Sequence, residues 1–166
     1  AAHMLGIANP PEEQLEWNLK AMELAERAGD RRAQAWLGPL YNNIGWAYHE
    51  VADFDKALAT FRKALEWRQA KGQEIETRIA QWTVARCLRS LGRVEAALAT
   101  QLALEEEWKQ SGKESDGYVH EEVGECLLLL NRADEASRYF ATAFERLSKD
   151  EWLVANEPER LARLKR

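Results

Sequence analysis

One frame of small and aromatic residues recurs three times along this chain. Gly45, Tyr48, Ala57 and Phe61 set it, and Ala85, Leu88, Ala97 and Gln101 repeat it downstream. Gly124, Leu127, Ala136 and Phe140 repeat it again. The period is about 40 residues, which marks a row of like units, each needing its neighbours to bury an apolar face. Such a row presents a long repeated surface, so binding is the first function to consider.

Within each unit, apolar residues fall at helical spacing on both sides of a short turn. The expected first helices cover about 31–51, 74–91 and 114–130, and the second helices about 54–71, 94–111 and 133–148. Val51-Ala-Asp53, Leu91-Gly92-Arg93 and Leu130-Asn131-Arg132 are the turns inside the hairpins. Gly72 and Gly112 mark the links between hairpins. Upstream, Pro10-Pro11-Glu12 starts a helix that runs to about Ala28, the second half of a repeat without its first half. Gly38-Pro39 is expected to kink or divide the helix that follows. Asn156-Glu157-Pro158 starts a last short helix over 157–165, a candidate cap. Residues 1–11 read as an extension or cloning remnant, and 12–166 as one repeat domain.

Tyr41-x2-Ile44-Gly45-x2-Tyr48 followed by Ala57-x3-Phe61-x2-Ala64 resembles the tetratricopeptide repeat, W-x2-L-G-x2-Y…A-x3-F, with Tyr41 at the tryptophan position. Val123-Gly124-x2-Leu127 and Ala136-x3-Phe140-x2-Ala143 match it equally well. The second repeat is degraded, with Gln101 where the aromatic belongs. Asn42-Asn43-Ile44-Gly45 and the long period resemble the branch found in kinesin light chains and bacterial peptide-sensing regulators. The resemblance implies an all-α, right-handed superhelical solenoid of antiparallel helix hairpins: three repeats (31–71, 74–111, 114–148), an N-terminal half repeat and a C-terminal cap. It also implies a protein-protein or protein-peptide interaction module in the cytoplasm, with a partner segment in its concave groove.

Nine positions follow from that implication. The face of the first helix opposite the packed stripe carries Asn42, Trp46 and His49. The repeat offset adds Trp82, Arg86 and Arg89, then Glu121, Glu125 and Leu128. Arginine grips carboxylates with two prongs and tryptophan offers flat apolar contact, so an extended peptide of mixed charge suits this set. The competing reading is a solvated face on which Arg86 and Arg89 pair with Glu121 and Glu125. A second alternative is a structural array that dimerises or docks a neighbouring domain through its terminal helices, with the basic Arg160–Arg166 tail as a contact surface.

Other classes have little support. A net charge of −5 and a pI near 5.4 provide no basic footprint for nucleic acid or an anionic membrane. No apolar run approaches the roughly 20 residues of a membrane span. His120-Glu121-Glu122 begins like a metalloprotease helix, but Gly124 stands where the second histidine would be. There is no phosphate loop and no serine-nucleophile motif. Neither enzyme activity nor a cofactor or metal is expected. Cys87 and Cys126 occupy equivalent repeat positions and are expected to be separate core thiols.

Overall fold

In the computed structural model, residues 11–165 are described. Residues 1–10 of the expected 1–11 extension and Arg166 of the basic tail lie outside them, while Pro11 opens the first helix. The described residues are all α-helix and connecting turns. Their contacts divide the chain into two compact units, one ending at Cys87 and the other beginning at Leu88.

The first unit opens with α1 (Pro11–Arg27), α2 (Arg31–Gln34), α3 (Leu37–Glu50) and α4 (Phe54–Ala70). The helix expected from Arg31 is divided at Ala35–Trp36, just ahead of Gly38-Pro39. Pro39 is the third residue of α3, within the first turn, where backbone N–H groups have no carbonyl partner inside the helix. A proline there removes no internal hydrogen bond. α1 lays Ala21 and Ala25 against Leu37, Leu40 and Tyr41 of α3 and Ala64 of α4, with Met22 and Trp67 at the margin. Tyr41 donates its hydroxyl to Glu26 Oε1 at 2.9 Å. Burial, reinforced by that carboxylate, pushes the Tyr41 phenol up to about 12. A phenol at the tryptophan position thus keeps its ring in the core and its polar atom paired.

The α3–α4 hairpin is held by a small residue meeting a large one. Gly45 faces the Phe61 ring, and Ala57 and Phe61 are fully buried. α5 (Glu74–Ser90) begins after Gly72, whose φ of +65° suits glycine.

The second unit contains α6 (Val94–Gln110), α7 (Gly117–Leu129), α8 (Ala133–Leu147), α9 (Glu151–Asn156) and α10 (Pro158–Leu164). α7 and α8 repeat the small-on-large device, with Gly124 against Phe140 and Gly117 against Leu147. Asp116 caps α7 by accepting from the Val119 N–H, and Asp150 caps α9 by accepting from Trp152 and Leu153. α10 packs on α8, and its Leu161 and Leu164 are buried. Cys87 and Cys126 are buried thiols, neither in a disulfide.

The three hairpin turns have one geometry. Ala52, Gly92 and Asn131 each take a positive φ (59°, 73° and 59°). In each, the next residue's N–H bonds back to Tyr48, Leu88 or Leu127 respectively. Glycine or asparagine accepts this conformation, whereas alanine pays for its Cβ. Ala52→Gly is therefore expected to stabilise the protein by about 0.5–1 kcal/mol, the relief of strain outweighing glycine's added freedom in the unfolded chain. Urea titration followed by circular dichroism measures it, and a lower midpoint would refute the strain assignment.

Candidate functional site

In the first unit, the expected face forms an aromatic cluster. Trp46 on α3 meets Phe61 edge-on at 5.2 Å and 68°, and His49 at 5.2 Å and 69°. Its ring centroid lies 6.2 Å from that of Trp82 on α5, and His49 lies 5.0 Å from Phe54. Trp46, His49 and Trp82 are all half-buried. Trp46 thus backs onto the core through Phe61 and joins Trp82 and His49 at its edges. Arg86, also half-buried, follows Trp82 by one turn of α5.

Asn42 lies one turn before Trp46 and lines a cavity of about 230 Å³ with Asn43, Arg68, Glu76, Ile79 and other residues of α3, α4 and α5. Neither asparagine amide has a hydrogen-bond partner among the described residues. Sequence reasoning reached Asn42 but missed Arg68, which projects from the end of the second helix, outside the face that was counted. The empty side-chain position at Gly38 makes room for it: a Cβ there would stand 2.6 Å from Arg68 Cζ.

The remaining expected positions lie in the second unit, where the structure spends their charges internally. Arg89 donates through Nε and Nη2 to the two carboxylate oxygens of Glu122 at 2.8 and 2.9 Å. Burial works against the Arg89 charge, but the bonds and charge of Glu122 outweigh it and hold the guanidinium above its ordinary range. The sequence-based pairing of Arg89 with Glu121 or Glu125 is thus replaced by one with Glu122, which no repeat offset had selected.

Glu121 is 2% exposed and receives three hydrogen bonds from Arg160, at 2.6–3.0 Å, and one from Arg163 at 2.8 Å. Arg163 also pairs with Glu125 at 2.9 Å. Arg160 lies over the Tyr118 ring at 4.9 Å. Burial opposes the Arg160 charge, yet Glu121 and then Glu157 raise its pKa strongly. The acidic end of the expected face therefore faces the chain's own α10, and Arg160 and Arg163 of the expected basic contact tail are engaged there. One signal was present in the sequence: Arg160 follows Glu121 by 39 residues, one repeat period. Leu128 is 46% exposed.

His120, singled out for its metalloprotease-like neighbours, belongs to a buried polar cluster. Its Nδ1 lies 3.1 Å from the Asp116 carbonyl and 3.3 Å from Ser115 Oγ, and its Nε2 lies 3.8 Å from Glu105 Oε1. A carbonyl can only accept, so Nδ1 carries the proton and cannot take one from Ser115. Burial pulls the imidazole below its ordinary pKa. This arrangement positions a histidine without activating the serine as a nucleophile. Among the described residues, no group of three His, Cys, Asp or Glu side chains is placed to hold a metal ion. No described helix is long and apolar enough to cross a membrane.

These features agree with what the chain is similar to. Residues 38–71 match the tetratricopeptide repeat family, the segment from Gly38 through the α3–α4 hairpin to Lys71. No curated protein matches the chain. Among the solved structures that match is the TPR domain of Arabidopsis FLU, at a TM-score of 0.57 and 18% identity, covering 85% of this chain and 100% of that one. At that identity the likeness speaks for the fold, which is the fold expected from Gly45, Ala57 and Phe61. Residues 38–71 match the tetratricopeptide repeat, and the chain has the fold of a tetratricopeptide-repeat domain.

Proposed function

We propose that the chain is a protein-interaction module whose first unit binds a peptide segment across α3 and α5. The observation that carries this reading is the placement of Trp46, His49 and Trp82 in ring contact one turn from Asn42, whose amide has no hydrogen-bond partner among the described residues. Flat aromatic edges supply apolar contact at little conformational cost, and a side-chain amide can donate to and accept from a peptide backbone. Arg86 extends the face beyond Trp82. A tetratricopeptide repeat is a scaffold of the interaction kind, and the site chemistry described above provides no activated nucleophile, so binding is preferred to catalysis.

Arg89, Glu121, Glu125 and Leu128 lie in the second unit and are not part of this reading. The first three are held in ion pairs inside the second unit, and a partner using them would have to displace those pairs.

The test is peptide selection against the whole chain, followed by titration of a selected peptide with wild type, Asn42→Ala and Trp82→Ala. Each substitution is expected to cost about 1–3 kcal/mol of binding, as lost hydrogen bonds or a buried aromatic contact do. Circular dichroism provides the folding control. Unchanged affinity in both folded variants would move the site away from α3 and α5, and chain self-association in its place would favour a structural array.

A further inference from the structure

The first and third repeats close the same joint with different chemistry. Tyr41 and His120 hold one place in the repeat frame, and Glu26 and Glu105, equally far apart in the chain, face them from the preceding second helix. Gln81 stands at the matching place in the second repeat. The Tyr41 hydroxyl donates to Glu26 at 2.9 Å, and the phenol holds that proton up to about 12. His120 makes no such bond. Its Nδ1 gives its proton to the Asp116 carbonyl, so Nε2 turns a lone pair toward Glu105 Oε1, 3.8 Å away. Two acceptors face each other across a gap too long for a hydrogen bond. Glu105 is already engaged by Lys109 Nζ at 2.9 Å and by the Tyr139 hydroxyl at 3.4 Å. From α8, the Tyr139 ring lies 5.9 Å from the imidazole, and Arg138 and Thr142 line a cavity of about 210 Å³ beside it. Arg146, also on α8, donates to the Ser115 carbonyl and pairs with Glu114 at 3.3 Å, so a cation is already held at the loop that the ring packs against. His120 itself is 6% exposed. Burial lowers its pKa; the Asp116 bond opposes this, Arg146 adds to it, Glu105 opposes it again, and burial prevails.

We propose that the contact of α6 with the start of α7 is an acid-sensitive joint: uptake of one proton by His120 loosens it, hydrating the ring and releasing the first turn of α7. The proposal is independent of the peptide-binding reading. A neutral imidazole fits the site as built. A second N–H would make it a buried cation with neither water nor a bonded anion, close to the guanidinium of Arg146. Glu105 could bond it only by leaving Lys109 and moving about 1 Å closer. Opening the contact hydrates the ring without that rearrangement. The part that moves is small and its attachments are the Asp116 cap on Val119, the Arg146 bond to Ser115 and the packing of Gly117 on Leu147. The direction follows from the two proton affinities. An exposed imidazole takes its proton near 6.5 and the packed one only below that, so the closed joint is fully favoured above 6.5 and loses ground as the pH falls through 6.5 to the packed value. One proton is involved, so the opening constant rises by at most about tenfold per pH unit in that window. The Tyr41 phenol does not titrate there.

The experiment uses the whole chain, 15N-labelled, with two readouts. The imidazole signals are titrated to give the pKa of His120, and amide hydrogen exchange, corrected for the intrinsic rate at each pH, gives local opening constants at about pH 7.5 and about pH 5.5. His120 should titrate below 6.5, and opening at residues 119–123 should rise about threefold to tenfold at the lower pH relative to Leu98 and Leu104 of α6. His120→Gln places the residue of the second repeat there and cannot titrate. Its opening constant at 119–123 should be the same at both pH values, whatever its absolute stability. Acid effects that arise at His49 would survive in this variant and are thereby separated. Glu105→Gln removes the carboxylate that faces Nε2 and should move the His120 titration to still lower pH, a shift that a purely structural role for Glu105 would not produce. His120 titrating at or above 6.5 would overturn the proposal, because Glu105 would then bond the added proton and acid would tighten the joint. An equal acid response in wild type and His120→Gln would also overturn it, as would a loss of protection spread evenly over α6, α7 and α8.

Discussion

Leucine in place of Gly45 will destabilise the protein by about 3 kcal/mol or more, at the upper end of what overpacking a core costs. A Cβ alone at position 45 would lie 2.4 Å from Phe61 Cε1 and 2.5 Å from Cδ1, well inside contact distance. The ring cannot easily give way, because Phe61 is fully buried and its far side meets Trp46. Helix propensity works the other way, since glycine inside a helix is about 1 kcal/mol worse than alanine. The close approach must therefore outweigh that cost for glycine to be the suitable residue. Gly124→Leu meets the same device at 2.7 Å from Phe140, a ring that keeps 9% of its surface exposed and has some room to move. Its cost is expected to be smaller, about 1–3 kcal/mol. Chemical denaturation of both variants gives the order, and Phe61→Leu should recover part of the loss in Gly45→Ala. An unchanged midpoint in Gly45→Leu would mean that the hairpin register is wrong.

The double substitution Arg160→Ala/Arg163→Ala has an effect of similar size for a different reason. Exposed ion pairs contribute little, about 0–1 kcal/mol. Here the carboxylate is on the inside: the Glu121 side chain is 3% exposed, and its two guanidinium partners are 27% and 50% exposed. Removing both cations leaves a buried charge with no compensation, a change that costs about 3–5 kcal/mol. α10 should then detach, since its seven residues otherwise hold to the unit mainly by Leu161 and Leu164. Adding Glu121→Leu to the double variant should recover most of the stability, because the penalty lies in the orphaned carboxylate and not in the missing arginines. Thermal melts with hydrogen exchange over 157–165 measure both effects. A double variant as stable as wild type would show that α10 does not serve as the cap of this unit.

Much of the fold could be read directly from the sequence because the devices that build it are local. Gly45 and Phe61 are sixteen residues apart across one turn, and the turn itself is spelled by Ala52-Asp53 and its counterparts Gly92-Arg93 and Asn131-Arg132. Helical spacing then leaves one face of α3 for other uses, and that is how Asn42, Trp46 and His49 were reached. The division of the helix at Ala35–Trp36, ahead of Gly38-Pro39, was legible for the same reason.

Charge partners were another matter. A face count says which way a side chain points but not which ion it meets, because a long side chain spans several backbone positions and chooses among neighbours by fractions of an ångström. Arg89 therefore took Glu122, and Glu121 and Glu125 went to a helix 35 or more residues away in the chain. The cavity at Arg68 was likewise outside sequence reasoning, because it joins the last turn of α4 to the first turns of α3 and α5. The sequence by itself determined the repeat, its hairpins and the residues that let helices approach. Only the tertiary structure decided which charges are spent inside the protein and which side chains remain for a ligand, since that depends on distances between helix ends that no periodicity encodes.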